Sequence, residues 1–432
     1  MNKRELLLSR FLSSRKICTD TRKVENGAIF FALSGENFNG NTYAQKALDD
    51  GCVLSVVSDS SYKGVEKFMV VEDTLTALQN LALDYRLTLD LPVIGVTGTN
   101  GKTTTKELVH AVLSSHLNSY ATAGNFNNHI GVPLSVLSIL PEHEIAIIEM
   151  GANKGADIKE LCAICLPTCG LITNVGKAHL EGFGSFDNIK KTKKELYDFL
   201  GNNDSLAFIN KDNGHLKKMG VDLKNKSYYS VNTESPLKGT ITHHGVTLKF
   251  KWESEGYNSS EVETNLTGAY NLENALAAVA VGLKFNVPVD KIIHSLESYT
   301  PKNNRSQIKK TEKNTLILDA YNANITSTQA ALLNLSGMEF PKEKKFFILG
   351  DMLELGDVSL SAHKEMIDYT EELGLVGIFV GEAYYKVGSE SYKCYKNASD
   401  LLSEIESLMI ADKVILIKGS RGIKLEVIED KL

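Results

Sequence analysis

The chain has few cysteines, no long apolar run and no block of like charge. Six cysteines in 432 residues are too few for a disulfide framework. No apolar stretch approaches the roughly 18 residues of a membrane span, and the apolar run 6–8 is too short for a signal sequence. The net charge of −6 is mild and the two signs are interspersed, so the composition favours neither nucleic acid nor a membrane surface as partner. We therefore expect a soluble cytoplasmic protein.

Three of the cysteines, Cys162, Cys165 and Cys169, have a spacing that suggests a metal site. The first two fall on one face of a predicted helix that Pro167 ends, and Cys169 opens the next apolar run. No fourth cysteine or nearby histidine completes a tetrahedral set. Because free cysteine is a common core residue, we predict that all three are buried and bind no metal.

The length is too great for one ordinary core, and strand-like runs alternate with helical patterns throughout. This alternation predicts an α/β protein with parallel sheets. We predict three domains: a small α/β domain over 1–90, a central parallel-sheet domain with a phosphate loop over 91–303, and a Rossmann-like α/β domain over 304–432. The polar segment 301–307 is the predicted hinge between the last two.

The central domain is predicted to begin with a phosphate-binding loop. An apolar, β-branched run over 93–97 meets a glycine-bearing loop, and a helical pattern follows. Glycines let backbone N–H groups surround an anion, and the helix N-terminus adds its positive end. The usual pattern G-x-x-x-x-G-K-[ST] is met except at its first glycine, where Val96 stands. The predicted nucleotide-binding residues are Gly98, Thr99, Asn100, Gly101, Lys102, Thr103 and Thr104, with Lys102 on the β/γ-phosphates and the Thr103 hydroxyl on Mg²⁺.

Further polar residues follow the predicted strands of this domain. Glu149 ends an apolar strand, where a carboxylate can hold Mg²⁺ or simply face water. His179 lies just past the next strand, where ligands of open α/β sheets collect. Two asparagines three apart, Asn271 and Asn274, suit either a contact to a base or a helix cap. The loop residues Asn125, Asn127, Asn128 and His129 are predicted to lie at the surface, where they can face substrate.

Four lysines, Lys190, Lys191, Lys193 and Lys194, lie on one predicted helix. On composition alone, they form a solvated helix face.

Polar residues at both ends of the chain have two interpretations. In the first domain Asp20, Thr21, Arg22, Ser34, Gly35 and Asn39 either bind a polar ligand or serve as loop and capping residues. In the last domain each predicted strand ends in a polar cluster. These clusters are Asp319 with Tyr321, Asn322 and Asn324; Gly350 with Asp351 and Glu354; and Lys418 with Ser420 and Arg421. They are expected to face one side and close over a nucleotide held by the central domain.

Together these motifs resemble the Mur ligase family over essentially the whole chain, and within it the ligases that add D-alanyl-D-alanine to UDP-N-acetylmuramoyl-tripeptide (UDP-MurNAc-tripeptide). The matching segments are TDTRKV, FFALSGENFNG, TGTNGKTTTKE, NNHIGVP, EMGA, TNVGKAHLEGFGS, KTKKELY, NLENALAA, YNAN, LGDMLELG and KGSRG. The resemblance implies an ATP-dependent ligase of peptidoglycan precursor synthesis with UDP-MurNAc-tripeptide and D-Ala-D-Ala as substrates. It also implies no nucleic-acid partner and no stable membrane association, and we expect a monomer.

The resemblance also implies roles for particular residues. Lys102, Glu149, His179 and Lys193 are implied to be catalytic, and Thr103, Glu149, His179 and Lys193 are implied to hold one or two Mg²⁺ ions. In this family the lysine of K-x-x-[LI]-[FY] is carbamylated; here it is Lys193, with Lys194 as the alternative. Asn271, Asn274, Arg305 and Asp319 are implied in ATP binding. Implied substrate contacts are Thr21, Arg22, Ser34, Gly35, Asn127, Asn128, Tyr321, Asn322, Asn324, Lys418, Ser420 and Arg421.

Three departures put local contacts in doubt: GNTY where many relatives read GHDF, YNANI for YNANP, and Tyr270 for a common histidine. Two other functions stay open. A tripeptide-forming sister ligase is expected to carry a DNPR-like motif, which this chain lacks. A catalytically silent nucleotide-binding scaffold has no need of Lys102, Glu149, His179 and Lys193 together.

Overall fold

The computed structural model describes residues 2–178, 180–302 and 304–432. The chain divides into two compact units. Unit 1 comprises Met1–Val96, Leu117–Ala152 and Ala156–Gly170; unit 2 comprises Thr97–His116, Asn153–Gly155 and Leu171–Leu432. In both, strands alternate with helices and pair mainly in parallel, which confirms the predicted α/β class. The boundaries of the three predicted domains stay a prediction.

Unit 1 begins with a four-stranded parallel sheet of order β1-β2-β5-β6 and a separate hairpin of β3 and β4. Its elements are α1 (Lys3–Ser14), β1 (Ile17–Cys18), β2 (Ile29–Phe31), β3 (Ser34–Gly35), β4 (Phe38–Asn39), α2 (Ala44–Asp49), β5 (Leu54–Val57), β6 (Phe68–Val70) and α3 (Thr74–Arg86). Helix α1 begins where Asn2 and Glu5 form a reciprocal capping box. Helix α3 begins where the Asp73 side chain accepts from the Thr76 N–H.

The central segment supplies the strands next to the predicted phosphate loop. Its elements are β7 (Val93–Thr97), α4 (Lys102–Ser114), β8 (Ser119–Ala121), α5 (Gly131–Leu137), β9 (Ile145–Glu149), α6 (Asp157–Cys165) and β10 (Cys169–Ile172). Within unit 1, β9 lies between β7 and β8 and pairs with both in parallel. Val96 is opposite Glu149 in this register. Every residue of β7 and β9 is buried, as expected for parallel strands that are covered on both faces.

Unit 2 contains strands in the order β10-β11-β12-β13-β14-β15, with β16 paired to β14. The elements are α7 (Leu180–Phe183), α8 (Phe186–Asn202), β11 (Leu206–Asn210), α9 (Gly214–Met219), β12 (Lys226–Ser230), β13 (Leu237–His244), β14 (Leu248–Ser254), β15 (Tyr257–Asn258), β16 (Val262–Glu263), α10 (Asn271–Lys284) and α11 (Val289–Ser298). The small-residue helix α10 packs on α4. A Cβ at Gly282 would lie 2.7 Å from the Val112 side chain, so only glycine permits this close approach.

The C-terminal part of unit 2 is a six-stranded sheet of order β17-β18-β22-β19-β20-β21, parallel except for β17. The elements are β17 (Gln307–Lys310), β18 (Thr315–Asp319), α12 (Ile325–Gly337), β19 (Lys345–Gly350), α13 (Ser359–Glu372), β20 (Val376–Val380), α14 (Glu382–Val387), β21 (Lys393–Tyr395), α15 (Ala398–Glu404) and β22 (Val414–Lys418). Separate apolar clusters cover the two faces of the sheet. Strands β18, β19 and β22 end at Asp319, Gly350 and Lys418, which places their polar clusters at one edge.

The prediction that the three cysteines are buried is confirmed. Cys162, Cys165 and Cys169 are all buried and unoxidised, and the first two thiols contact the Met150 sulfur at 3.8 Å. Nowhere in residues 2–178, 180–302 and 304–432 do three or more His, Cys, Asp or Glu side chains gather as a metal site. No helix in the same ranges has the length and apolarity to cross a membrane.

A buried arginine ties the end of α3 to the end of α6 within unit 1. The Arg86 side chain is 6% exposed, and its guanidinium donates to four carbonyls. The acceptors are Cys165 O and Leu89 O at 2.9 Å, and Leu91 O and Leu166 O at 3.3 Å. Burial lowers the pKa of Arg86. The carbonyl oxygens take the place of a carboxylate partner by providing partial negative charge.

We expect Arg86→Met to destabilise unit 1 by about 2–4 kcal/mol, because four buried or partly buried carbonyls lose their donor while the apolar stem is kept. Denaturant unfolding measures the change as a lower transition midpoint. The matched control is Arg10→Met in α1, an exposed arginine for which the structure records no hydrogen bond. Equal midpoints for the two variants would contradict this account of Arg86.

Candidate functional site

The predicted phosphate loop is held in shape by the residues that follow β10. The Thr173 N–H donates to Thr97 O at 2.9 Å, and the Thr99 N–H donates to Asn174 O at 3.0 Å, which extends the strand pairing into the loop. Asn100 is bound from both sides: its carbonyl accepts from Thr173 Oγ1 at 2.6 Å and Asn174 Nδ2 at 3.0 Å, and its N–H donates to Asn174 Oδ1 at 2.9 Å. The segment that follows β10 therefore preorganises the loop backbone.

Two glycines make this loop conformation possible. Gly98 has φ +147° and Gly101 has φ +76°, both in the region that favours glycine. A Cβ at Gly98 would lie 1.9 Å from Thr173 Oγ1, and one at Gly101 would lie 2.8 Å from Asn274 Oδ1. Gly101 is also the N-cap of α4 and has no side chain to cap the helix. The positive end of a 13-residue helix therefore opens onto the loop, which suits an anion.

Lys102 folds back over the loop that precedes it. Its Nζ donates to Gly98 O at 2.8 Å and to Thr99 O at 2.9 Å. A positive charge thus lies over the same backbone that a phosphate would approach. Thr103 and Thr104, the next residues of α4, are both buried at 7% exposure.

In unit 1, Glu149 is oriented by a neighbouring asparagine. Glu149 is 1% exposed at the end of β9, and its Oε1 accepts from Asn127 Nδ2 at 2.8 Å. The Glu149 N–H donates to Thr122 Oγ1 at 3.0 Å. The interpretation of Glu149 as a water-exposed strand end is therefore wrong, because the carboxylate is buried. Asn128 Oδ1 accepts from the Ile130 and Gly131 N–H groups and so starts α5.

The four lysines of α8 differ sharply in exposure. Lys193 is 3% exposed and shares the buried face of α8 with Ile189 and Leu196. Lys190, Lys191 and Lys194 lie on the outer side, with Lys190 paired to Asp187 and Lys194 paired to Asp198. The prediction of a solvated lysine face is thus correct for these three residues and wrong for Lys193. A lysine is rarely buried without a functional or structural reason.

The two predicted base-binding asparagines are buried and bonded to each other. Asn274 Nδ2 donates to Asn271 Oδ1 at 2.8 Å, and Asn274 Oδ1 accepts from Thr105 Oγ1 of α4 at 3.0 Å. Asn271 Nδ2 donates to Thr267 O at 2.6 Å and to Ser306 Oγ at 3.1 Å. The structure therefore places both beside the phosphate loop, within unit 2.

The polar ends of β18 and β22 form one C-terminal cluster. Lys418 is 2% exposed, and its Nζ donates to Asp319 Oδ2 at 2.7 Å and Asn322 O at 3.2 Å. The Tyr321 ring has the Arg305 Cζ 3.6 Å from its centroid and the Arg421 Cζ 5.7 Å away. Two guanidinium groups thus meet at one aromatic ring, next to a buried ion pair.

Asn324 and Ser420 connect this cluster to neighbouring loops. Asn324 caps α12 through Ser327, and its Nδ2 donates to Asn100 Oδ1 of the phosphate loop at 2.7 Å. Ser420 Oγ accepts from the Leu353 N–H at 2.9 Å, while the Ser420 N–H donates to Asp351 O at 3.1 Å. The phosphate loop and the C-terminal cluster therefore lie on one connected polar network.

In unit 1 a cavity of about 420 Å³ opens beside the predicted polar residues of the first domain. Thr21 and Arg22 line it with Phe38 and Tyr43, whose rings stack at 5.5 Å and 15°. The Arg22 guanidinium binds Asp20 and lowers the pKa of that carboxyl to about 2. The capping interpretation is confirmed for Asp20, which caps a short turn; it also lines the cavity, and its binding of a polar ligand stays a prediction.

Ser34 and Gly35 lie next to this cavity in the hairpin of β3 and β4, opposite Asn39 and Phe38. Ser34 Oγ accepts from the Gly40 N–H at 3.2 Å, and Asn39 Oδ1 accepts from the Asn41 N–H at 3.0 Å. His179 lies outside the described residues.

Comparison with known proteins shows that nearly the whole chain is similar to members of one family. Residues 96–282 match the Mur ligase middle domain, and residues 304–421 match the Mur ligase, glutamate ligase domain. The chain is 36% identical to the UDP-N-acetylmuramoyl-tripeptide–D-alanyl-D-alanine ligase of Bacillus subtilis (strain 168), an alignment that covers 95% of this chain and 92% of that protein. The chain belongs to the Mur ligase family.

Solved structures agree with this family. MurF from Acinetobacter baumannii superposes with a TM-score of 0.87 at 30% identity, covering 96% of this chain and 93% of that one. MurF ligase from Thermotoga maritima in complex with ADP has a TM-score of 0.87 at 25% identity and covers 100% of this chain and 98% of that one. The predicted Mur ligase architecture is thus confirmed.

Several residues of this Mur ligase site were missed by sequence reasoning. Thr173 and Asn174, which shape the phosphate loop, were not singled out, and Asn127 was predicted as a substrate contact but not as the partner of Glu149. Phe38 and Tyr43 form the exposed aromatic pair of the first-domain cavity. Thr173, Asn174 and Asn127 are visible in the sequence as polar residues of loops, but their partners lie far away along the chain. Phe38 and Tyr43 are close in sequence, but nothing in the pattern shows that their rings stack.

We expect Gly98→Ala to weaken nucleotide binding by at least about tenfold, because the added Cβ overlaps Thr173 Oγ1 and the backbone disfavours any side chain at φ +147°. Calorimetric titration with ADP and Mg²⁺ measures the loss. The matched control is Gly214→Ala in α9, where a Cβ meets nothing within 4 Å. Full ADP affinity in Gly98→Ala would show that the loop shape described above is not needed for binding.

Proposed function

We propose that this Mur ligase joins D-Ala-D-Ala to UDP-MurNAc-tripeptide in an ATP-dependent reaction, giving UDP-MurNAc-pentapeptide, ADP and phosphate. The observation that carries the proposal is the full-length similarity to ligases named for these substrates, such as that of Escherichia coli (strain K12), 32% identical over 95% of this chain and 92% of that protein. The preorganised phosphate loop and the cationic C-terminal cluster supply the groups that the reaction needs. A tripeptide-forming sister ligase and a silent scaffold are the alternatives.

The phosphate loop is the proposed site of ATP. The N-terminus of α4 and the Lys102 ammonium together oppose the triphosphate charge, while the N–H groups of Thr99 and Asn100 are bonded to Asn174 and hold the loop in shape. Asn271 and Asn274 are proposed to contact the adenine, and Arg305 and Asp319 the rest of the nucleotide. Gly101 packs against Asn274, so the proposed contact to the base lies directly beside the phosphate loop.

Magnesium suits the side chains proposed to hold it. The Thr103 hydroxyl and the buried Glu149 carboxylate are hard oxygen donors, the type that Mg²⁺ prefers. When bound, Mg²⁺ neutralises phosphate charge and orients the transferring group. The assignment of Thr103, Glu149, His179 and Lys193 to one or two ions stays a prediction.

The burial of Lys193 supports it, rather than Lys194, as the carbamylated residue. A carbamate forms on a neutral amine and converts a cation into an anion, and Lys194 is already paired to Asp198 at the surface. The oxygens of such a buried anion are of the type that Mg²⁺ prefers. Thr192 and Tyr197 of the same helix are buried as well, so this face of α8 is closed to bulk water.

The chemistry follows from the charges of the reactants. The terminal carboxylate of the tripeptide attacks the γ-phosphorus of ATP, forming an acyl phosphate and releasing ADP. The amine of D-Ala-D-Ala then attacks the acyl carbon, and phosphate leaves. Two anions must meet in the first step, so Lys102 and the positive end of α4 reduce their repulsion. Exclusion of water protects the acyl phosphate from hydrolysis.

The two other substrates are assigned to opposite ends of the chain. The cavity lined by Thr21, Arg22, Phe38 and Tyr43 is proposed to take the uridine diphosphate end of UDP-MurNAc-tripeptide. The C-terminal cluster, with Tyr321 and Arg421, is proposed to take the carboxylate of D-Ala-D-Ala. We propose domains over 1–90, 91–303 and 304–432. We also propose that the enzyme acts in the cytoplasm as a monomer.

Release of ADP and phosphate tests the function, measured with ATP and Mg²⁺ while UDP-MurNAc-tripeptide and D-Ala-D-Ala are left out in turn. We expect release only when both are present, together with a product of the mass of UDP-MurNAc-pentapeptide. Release with a different amino acid acceptor would assign the chain to a sister ligase. ADP binding with no release under any combination would identify a scaffold.

We expect Lys193→Ala to lose at least about 100-fold in kcat and to recover part of it when short carboxylic acids are added, since these supply the missing anion. The control for rescue is Lys102→Ala, which removes a cation and is expected to stay inactive with the same acids. Lys194→Ala tests the alternative and is expected to keep most activity. Rescue of Lys194→Ala instead of Lys193→Ala would assign the carbamate to Lys194.

A further inference from the structure

The segment that enters the C-terminal sheet is held in an unusual conformation. Asn304 and Ser306 both have positive φ, +54° and +50°, although neither is glycine. Such residues cost free energy and persist where surrounding contacts hold them in place. Ser306 is 5% exposed, so its side chain is enclosed by those contacts.

Ser306 contacts groups on both sides of the predicted hinge. Its hydroxyl accepts from Asn271 Nδ2 at 3.1 Å and lies 3.4 Å from the Tyr270 hydroxyl, both at the start of α10. Its backbone N–H donates to Asp319 Oδ1 at 3.3 Å, at the end of β18. A single residue therefore bonds the nucleotide-side helix with its side chain and the C-terminal cluster with its backbone.

These bonds belong to a longer chain of contacts, all within unit 2. From α4, Thr105 Oγ1 donates to Asn274, Asn274 donates to Asn271, and Asn271 donates to Ser306. Ser306 donates to Asp319, which also accepts from Lys418. The series thus runs without a break from the helix of the phosphate loop to the C-terminal cluster.

A ligand that binds an amide in this series must replace an existing hydrogen bond, because the amide already has its partners. Both hydrogens of Asn271 Nδ2 are taken, by Thr267 O and by Ser306 Oγ. A base that accepts from this amide must displace one of these partners. A ligand shifts a conformational equilibrium only by binding its states differently, and this exchange provides such a difference.

We infer that Ser306 is a positioning residue that transmits nucleotide occupancy from Asn271 to the Asp319–Lys418 pair, and so orders the cluster that receives the acceptor dipeptide. The inference rests on the proposed function for the identity of the two ligands. Ser306 itself touches neither ligand. Its hydroxyl is the group that matters, because it is the acceptor that joins α10 to the C-terminal part of the chain.

Three substitutions at Ser306 separate transmission from stability. Ser306→Gly removes the hydroxyl but suits the positive φ, and Ser306→Ala removes it with little change in strain. Ser306→Thr keeps the hydroxyl but places a β-branched side chain at φ +50°, which costs stability. The matched control is Ser298→Ala at the end of α11, where the hydroxyl makes only a local bond to Ser295 O at 3.4 Å.

Hydrogen–deuterium exchange with and without ADP and Mg²⁺ provides a readout that needs no turnover. In the unmodified protein and in Ser298→Ala we expect ADP to protect α4 and also segments 319–324 and 418–421. In Ser306→Gly and Ser306→Ala we expect protection of α4 alone, and in Ser306→Thr protection of all three. With an active enzyme, KM for D-Ala-D-Ala rises about tenfold in the Gly and Ala variants, while ADP affinity changes by less than about threefold.

Two results would overturn the inference. One is that ADP does not protect segments 319–324 and 418–421 of the unmodified protein. The other is that protection persists in Ser306→Gly or follows melting temperature across the variants instead of the presence of the hydroxyl. A protein that shows the expected exchange pattern but no ligase turnover would refute the proposed function and leave the transmission through Ser306 standing.

Discussion

Three hydrogen bonds join Asn100 to Thr173 and Asn174, and the rest of the site depends on them. Backbone amides surround an anion well only if they already point at it, because reorienting them on binding costs free energy. Here the exit of β10 fixes the loop, and the loop fixes where α4 begins. The positions of Lys102, Thr103 and Thr105 follow from that start. The phosphate site is thus built by a neighbouring strand end as much as by its own glycines.

Sequence reasoning predicted well where the signal is local. The order strand, glycine loop, helix predicted the phosphate loop, and Pro167 predicted the end of α6 close to where it occurs. It failed for Lys193, because α8 carries four lysines within five positions and composition alone predicts one exposed face. The family pattern, by contrast, selected the one lysine that is buried. Periodicity identifies the buried face of a helix only when the residues on its two faces differ in polarity.

Partners that are distant in sequence were beyond prediction from the chain alone. Asn127 reads as a polar loop residue, yet its amide orients a carboxylate 22 positions away, and Asn324 caps a helix while reaching Asn100, 224 positions away. Amides recur in these roles because one side chain both donates and accepts. A single sequence shows that such residues are frequent in loops, but it does not show which pairs meet.

The folded-back position of Lys102 has a consequence for selectivity among nucleotides. Its ammonium already holds two carbonyl oxygens, Gly98 O and Thr99 O, so a ligand must offer a better acceptor to draw it away. A charged phosphate oxygen attracts the ammonium more strongly than a neutral carbonyl oxygen does, because both partners of the hydrogen bond are then ionised. A nucleoside without phosphates offers no such oxygen and leaves the lysine in place. The two carbonyl contacts of Lys102 therefore oppose its transfer to a ligand, and a ligand that carries charged oxygens compensates for their loss.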